Sequence, residues 1–99
     1  MVEIVWTARA LNDIDQIAEY ISKDSFMYAT RIVERIFYVE ELLLLNTRIG
    51  RMVPEFHNNV IREVIIGNYR VVYRIYSAKV IQMLTVNHGA KRLTKTSIY

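Results

Sequence analysis

Arg70 and Arg74 lie four residues apart in a run of β-forming residues, Tyr69 to Tyr76, with Glu63 in the run before it and His88 at the end of the run after it. Residues an even number apart in a strand share a face, so the two arginines project together. A guanidinium keeps its charge and donates two parallel hydrogen bonds, which makes such a pair able to hold a phosphate. The plainer alternative is a solvated strand face on which the arginines pair with Glu63. His88 could exchange a proton near neutral pH, and the Glu63 carboxylate could act as a base. A lone histidine at a strand end is as readily a loop residue. Tyr69, Tyr73, Tyr76 and Tyr99 offer rings that could stack on bases, although tyrosine is also favoured in strands with no ligand at all. Arg51 beside Gly50, Arg62, and Lys91, Arg92 and Lys95 near the end of the chain complete a possible basic rim; a basic tail can equally be solvated and mobile.

These residues need elements to hold them. Val2 to Trp6 reads as a short strand, ending at Thr7, which can cap a helix. From Ala8 to about Ser22, Leu11, Ile14, Ile17, Ala18 and Ile21 recur at helical spacing. Lys23–Asp24–Ser25 breaks this helix and caps a second, in which Ala29, Ile32, Val33, Ile36, Phe37 and Leu43 keep the period to about Leu45. So short a connection predicts an antiparallel helical hairpin. Asn46 to Asn59 lacks periodicity and contains Gly50 and Pro54, which predicts a loop crossing to a sheet. Val60 to Ile66, the turn Gly67–Asn68 and Tyr69 to Tyr76 form a hairpin; Ser77–Ala78–Lys79 leads into Val80 to Asn87, and a polar tail runs from Ala90 to Tyr99.

The predicted fold is α+β, in the order β-α-α-β-β-β: an antiparallel sheet with a helical hairpin packed on one face and the other face partly free. A two-residue turn at Gly67–Asn68 sets Ile66 opposite Tyr69, Ile65 opposite Arg70, Glu63 opposite Val72 and Ile61 opposite Arg74. Val64, Ile66, Val71, Tyr73 and Ile75 then share the core face, to which Arg62 also belongs, and Glu63, Arg70, Arg74 and Tyr76 share the other. A three-residue turn at Ser77–Lys79 adds Gln82 and His88 to that second face; a two-residue turn sends them to the first.

A chain of 99 residues is the size of one domain, residues 1–99, with one active or binding surface. Its 53% hydrophobic residues are too many for disorder, while no apolar run approaches a membrane span. Near the amino terminus Glu3 stands where an export signal wants positive charge, so a cytoplasmic protein is expected. Without cysteine, disulfides and thiolate metal sites are excluded, and two histidines are too few for a zinc site, so no metal or cofactor is expected. A net charge of +3 suits an acidic or nucleic-acid partner. There is no phosphate-cradling glycine motif, no G-x-S-x-G elbow and no HExxH, which argues against P-loop hydrolysis, acyl transfer and zinc catalysis.

Val5-Trp6-Thr7-Ala8 through Ala10, Asp13-Ile14, Ile17, Tyr20-Ile21, Gly50-Arg51-Met52-Val53-Pro54-Glu55, Arg62-Glu63-Val64, Asn68-Tyr69-Arg70-Val71-Val72-Tyr73 and Val86 with His88-Gly89 together resemble the RelE/ParE toxin superfamily, over nearly the whole chain. The resemblance implies the toxin half of a toxin–antitoxin pair, neutralised by an acidic antitoxin that wraps it, and one of two activities on one fold. RelE-like members cut messenger RNA in the ribosome; ParE-like members inhibit DNA gyrase without a known catalytic set. Under the nuclease alternative, Arg70 matches the arginine against the scissile phosphate, Arg92 the arginine after the last strand and Tyr99 a catalytic tyrosine, with His88 or Glu63 as proton carriers. Arg51, Arg62, Arg74, Lys91 and Lys95 would then bind nucleic acid or another target. The two lysines of the best-studied nucleases fall at Ile61 and Glu63, and both are missing. The helical hairpin ending in Tyr20-Ile21 and the Val53-Pro54-Glu55 loop are more ParE-like, so the resemblance leans to gyrase inhibition. An inactive, antitoxin-binding member is the third alternative.

Overall fold

Thr7 leaves the first strand in an extended conformation, and its hydroxyl accepts the Ala10 N–H at 3.1 Å, which starts a helix. The same hydroxyl donates to the carbonyl of Met83 at 2.9 Å and so ties that helix start to a distant strand. In the computed structural model, which describes residues 1–98, the elements are β1 (Glu3–Trp6), α1 (Ala8–Ser22), α2 (Phe26–Leu45), β2 (Arg51–Met52), β3 (Ile61–Ile66), β4 (Tyr69–Ile75), β5 (Val80–His88) and α3 (Lys95–Ile98). Ser25 caps α2 as Thr7 caps α1, accepting from the Tyr28 N–H. The expected β-α-α-β-β-β order is present, with two short additions, β2 inside the crossing loop and α3 in the tail.

The sheet runs β1-β5-β4-β3-β2, with β1 parallel to β5 and the other pairs antiparallel. Ala29, Ile32, Ile36, Val39 and Leu43 are buried at alternating steps of three and four, so one stripe of α2 lies on the sheet. They pack with Ala10, Ile14 and Ile21 of α1 against Ile66, Val71, Tyr73, Ile81, Met83 and Val86. Complete burial of side chains such as Ile32 and Ile36 contributes roughly 1.5–3 kcal/mol each. Leu11 and Phe37, expected in this core, are exposed, and Phe37 instead packs on Trp6 with ring centroids 4.9 Å apart.

The turn at Gly67–Asn68, with Gly67 at φ +58°, sets the expected register of β3 against β4. The second sheet face is covered over part of its area and stays open towards β1, where Val5 is exposed. Val53, Ile61, Val72, Leu84, Leu93 and Ile98 form a smaller buried cluster on the covered part, with Phe56 and Val60 at its edge. The crossing loop and the tail thus form a third layer.

Candidate functional site

Gly50 opens the segment that builds this layer. A Cβ on it would lie 2.6 Å from the Glu63 carbonyl oxygen and 2.8 Å from the Tyr73 ring, so only glycine fits. Its N–H donates to the Tyr73 hydroxyl at 3.0 Å, and that hydroxyl donates to the Thr47 carbonyl. Burial pushes the Tyr73 phenol above its ordinary value. The chain can therefore lie against β3 for two residues, Arg51 opposite Glu63 and Met52 opposite Arg62, before Val53 drops into the second cluster. This geometry brings Glu55 over Arg70.

Arg70 is buried, and its guanidinium is shared between two carboxylates. Nε donates to Glu63 at 2.6 Å, while the two terminal nitrogens donate to the two oxygens of Glu55 at 2.7 and 2.8 Å. A further bond runs to the Lys91 carbonyl at 3.2 Å, so four of the five N–H donors are engaged. Glu63, also buried, accepts from exposed Arg51 at 2.6 Å through its other oxygen. Glu55 accepts the Leu93 N–H at 3.0 Å as well. The result is a neutral chain of alternating charge, Arg51–Glu63–Arg70–Glu55, ending on the backbone of the tail. The hydrogen bonds from Arg70 hold the Glu55 carboxyl at about 2, against an ordinary 4.5, with burial opposing and the Leu93 N–H assisting. Arg70 moves upward through its bonds to Glu55, which outweigh burial.

The remaining candidates are dispersed. Arg62 is spent on the loop, donating to Asn59 and to the Gly50 carbonyl, and Arg74 lies over the Tyr76 ring, 5.3 Å from its centroid. Arg70 and Arg74 share a strand face without forming a free cationic pair, because the carboxylates of Glu55 and Glu63 occupy the first. Lys91, Arg92 and Lys95 are exposed, and among the described residues none donates a side-chain hydrogen bond. Tyr99 lies outside the described residues.

The face of His88, left open by the sequence, is set by the turn and by a bulge together. The Ser77–Lys79 turn has three loop residues and places Gln82 opposite Arg74, as the first alternative required. Between Val72 and Tyr73 the pairing then jumps from Thr85 to Met83, leaving Leu84 as an extra residue in a bulge. The alternation reverses beyond it. His88 therefore lies opposite Tyr69, on the helix side, with ring centroids 5.9 Å apart, and not beside Arg70. It is exposed at a cleft lined also by Gln16, Tyr20 and Lys91, where its Nδ1 accepts the Ala90 N–H at 3.1 Å. Past β1 the edge of β5 is covered by Asp13 of α1, which accepts from the Val86 N–H and the Thr85 hydroxyl.

Glu55 was not among the site residues expected from sequence, although its segment contributed to the resemblance. The available signal was the pairing rule: a buried arginine needs more than one carboxylate oxygen around it, and Glu63 alone leaves donors over.

The chain is thus an α+β fold of helical hairpin, sheet and covering loop and tail, with this ion-pair chain on the covered side. A family model described as the ParE toxin of type II toxin–antitoxin system, parDE, matches residues 4–93, and the chain belongs to that family. A solved structure, the chromosomal ParDE TA system from P. aeruginosa, is similar at a TM-score of 0.70 and 22% identity, over 89% of this chain and 96% of that one, a likeness of fold. No curated protein matches. The chain is thus of a toxin family, as its sequence resemblance implied, and on the ParE side of it. No helix among the described residues is long and apolar enough to cross a membrane.

Proposed function

We propose that this chain is a toxin that arrests growth by binding DNA gyrase rather than by cutting RNA, and that a cognate acidic antitoxin neutralises it in the cytoplasm. The observation that carries this reading is the engagement of Arg70. An arginine that stabilises charge on a reacting phosphate must present free donors to it. Here four are committed to Glu55, Glu63 and the Lys91 carbonyl, and both carboxylates would repel a phosphate. Releasing Arg70 from these partners would cost about 3–5 kcal/mol, the usual penalty for leaving a buried charge uncompensated. His88 and Glu63 lie on opposite faces of the sheet, so they do not converge on one reacting atom.

The antitoxin part rests on surface chemistry. Tyr20, Phe26, Met27, Tyr28, Tyr38 and Leu45 are exposed on the helical hairpin, a large apolar display for a chain of this size. A partner that covers them and carries negative charge complements a protein of net charge +3.

Brief induction in a susceptible bacterium tests the target. Gyrase-linked DNA breaks with intact transcripts are expected; rapid ribosome-dependent transcript cleavage with normal supercoiling would make the chain a nuclease, and no arrest would make it an inactive binder.

A further inference from the structure

We propose that Glu55 is a positioning residue: it sets the segment Lys91–Ile98 as the element that contacts the target, with Lys91, Arg92 and Lys95 meeting an anionic surface there. This deepens, and rests on, the reading that the chain acts by binding.

The first observation is where positive charge remains available around this sheet face. Arg51, Arg62 and Arg70 donate inward, and Arg74 lies on Tyr76. Lys91, Arg92 and Lys95 are exposed on one short stretch, with no side-chain hydrogen bond or ion pair to the described residues. Cations with no partner among the described residues, over so short a stretch, make a local anion-attracting surface.

The second observation is how that stretch is held. Its only helix is the four-residue α3, far too short to be stable alone, so its shape comes from its anchors. Leu93 and Ile98 are buried in the second cluster, 2% and 4% exposed. The Arg9 guanidinium donates to the Thr96 carbonyl. The Leu93 N–H donates to Glu55, and the Lys91 carbonyl accepts from Arg70. Glu55 is the side chain that joins these last two contacts, because one carboxylate binds both Arg70 and Leu93. Since Glu55 and Arg70 cancel in charge, the clasp orders the basic segment without neutralising it.

Glu55→Gln is nearly isosteric, but its amide turns N–H groups towards the Arg70 donors. Hydrogen exchange at the Leu93 amide reports the clasp, exchange at Val72 and Ile36 controls for the fold, and inhibition of gyrase supercoiling by the purified chain reports the contact. In Glu55→Gln, Leu93 exchange should accelerate about tenfold or more with Val72 and Ile36 unchanged, and the half-inhibitory concentration should rise about tenfold. Lys91→Glu with Arg92→Glu and Lys95→Glu should abolish inhibition while leaving Leu93 exchange slow. A loosened Leu93 with undiminished inhibition overturns the positioning role, as does an unchanged Leu93; an active triple variant overturns the contact. Should the wild-type chain leave gyrase untouched, the binding reading itself fails and takes this proposal with it, a result distinct from failure of the variants alone.

Discussion

Glu55 clasps Arg70 through two parallel hydrogen bonds of 2.7 and 2.8 Å across 15 residues of sequence, while Glu63 takes the third side of the same guanidinium at 2.6 Å. The crossing loop, the sheet and the tail are joined at this one side chain. An arginine that sequence alone offers as a phosphate ligand is, in the fold, the centre of an ion-pair network on the covered part of its sheet face.

Arg70→Ala should therefore act first on stability. It leaves Glu63 with Arg51 alone and Glu55 with no cation, and the expected loss is about 3–5 kcal/mol in urea denaturation. A loss below about 1 kcal/mol would show the network to be no more than a surface pairing.

Acid should weaken the clasp in a defined window. The folded-state value of Glu55, about 2, lies below its ordinary 4.5. Protons therefore bind the unfolded chain more readily, and the contribution of Glu55 to stability is complete above about 4.5 and lost as pH falls through about 2. The urea midpoint of the wild type should fall more steeply across this window than that of Glu55→Gln, and parallel curves would contradict the assignment.

Gly50→Ala should disturb the site from outside it. The added methyl meets the Glu63 carbonyl and the Tyr73 ring, and the backbone atoms there cannot step aside. Overpacking of this kind costs about 1–3 kcal/mol. The loss should appear in thermal unfolding, together with faster amide exchange at Val53, and a neutral substitution would mean that β2 is not held as described.

The hairpin register and both long helices were legible in the sequence because local rules determine them: a two-residue turn permits one pairing, and Ala29, Ile32, Ile36 and Leu43 mark one helix face. The bulge at Leu84 was not, since Met83, Leu84 and Val86 are all apolar and alternation reads the same on either side of it. The second cluster was hidden for another reason. Val53, Leu93 and Ile98 are apolar residues in otherwise irregular or polar stretches, and only the tertiary fold brings them together over Val72. For the site, the pairing of Arg70 with Glu63 followed from register, whereas Glu55 arrives from a loop with no periodicity to place it.

His88→Ala offers a contrast to the basic tail. His88 is exposed on the helix side, away from Arg70 and Glu63, and its ring accepts a local hydrogen bond from the Ala90 N–H. Inhibition by the purified variant should stay within about twofold of wild type, a range of only a few tenths of a kcal/mol. A loss of two orders of magnitude would place His88 in the contact with the target.

The most direct test of the central claim is a supercoiling assay with purified gyrase, relaxed plasmid and the purified chain, run beside translating ribosomes carrying a labelled transcript. Inhibited supercoiling with an intact transcript is the predicted result; a cleaved transcript with unimpaired supercoiling would contradict it.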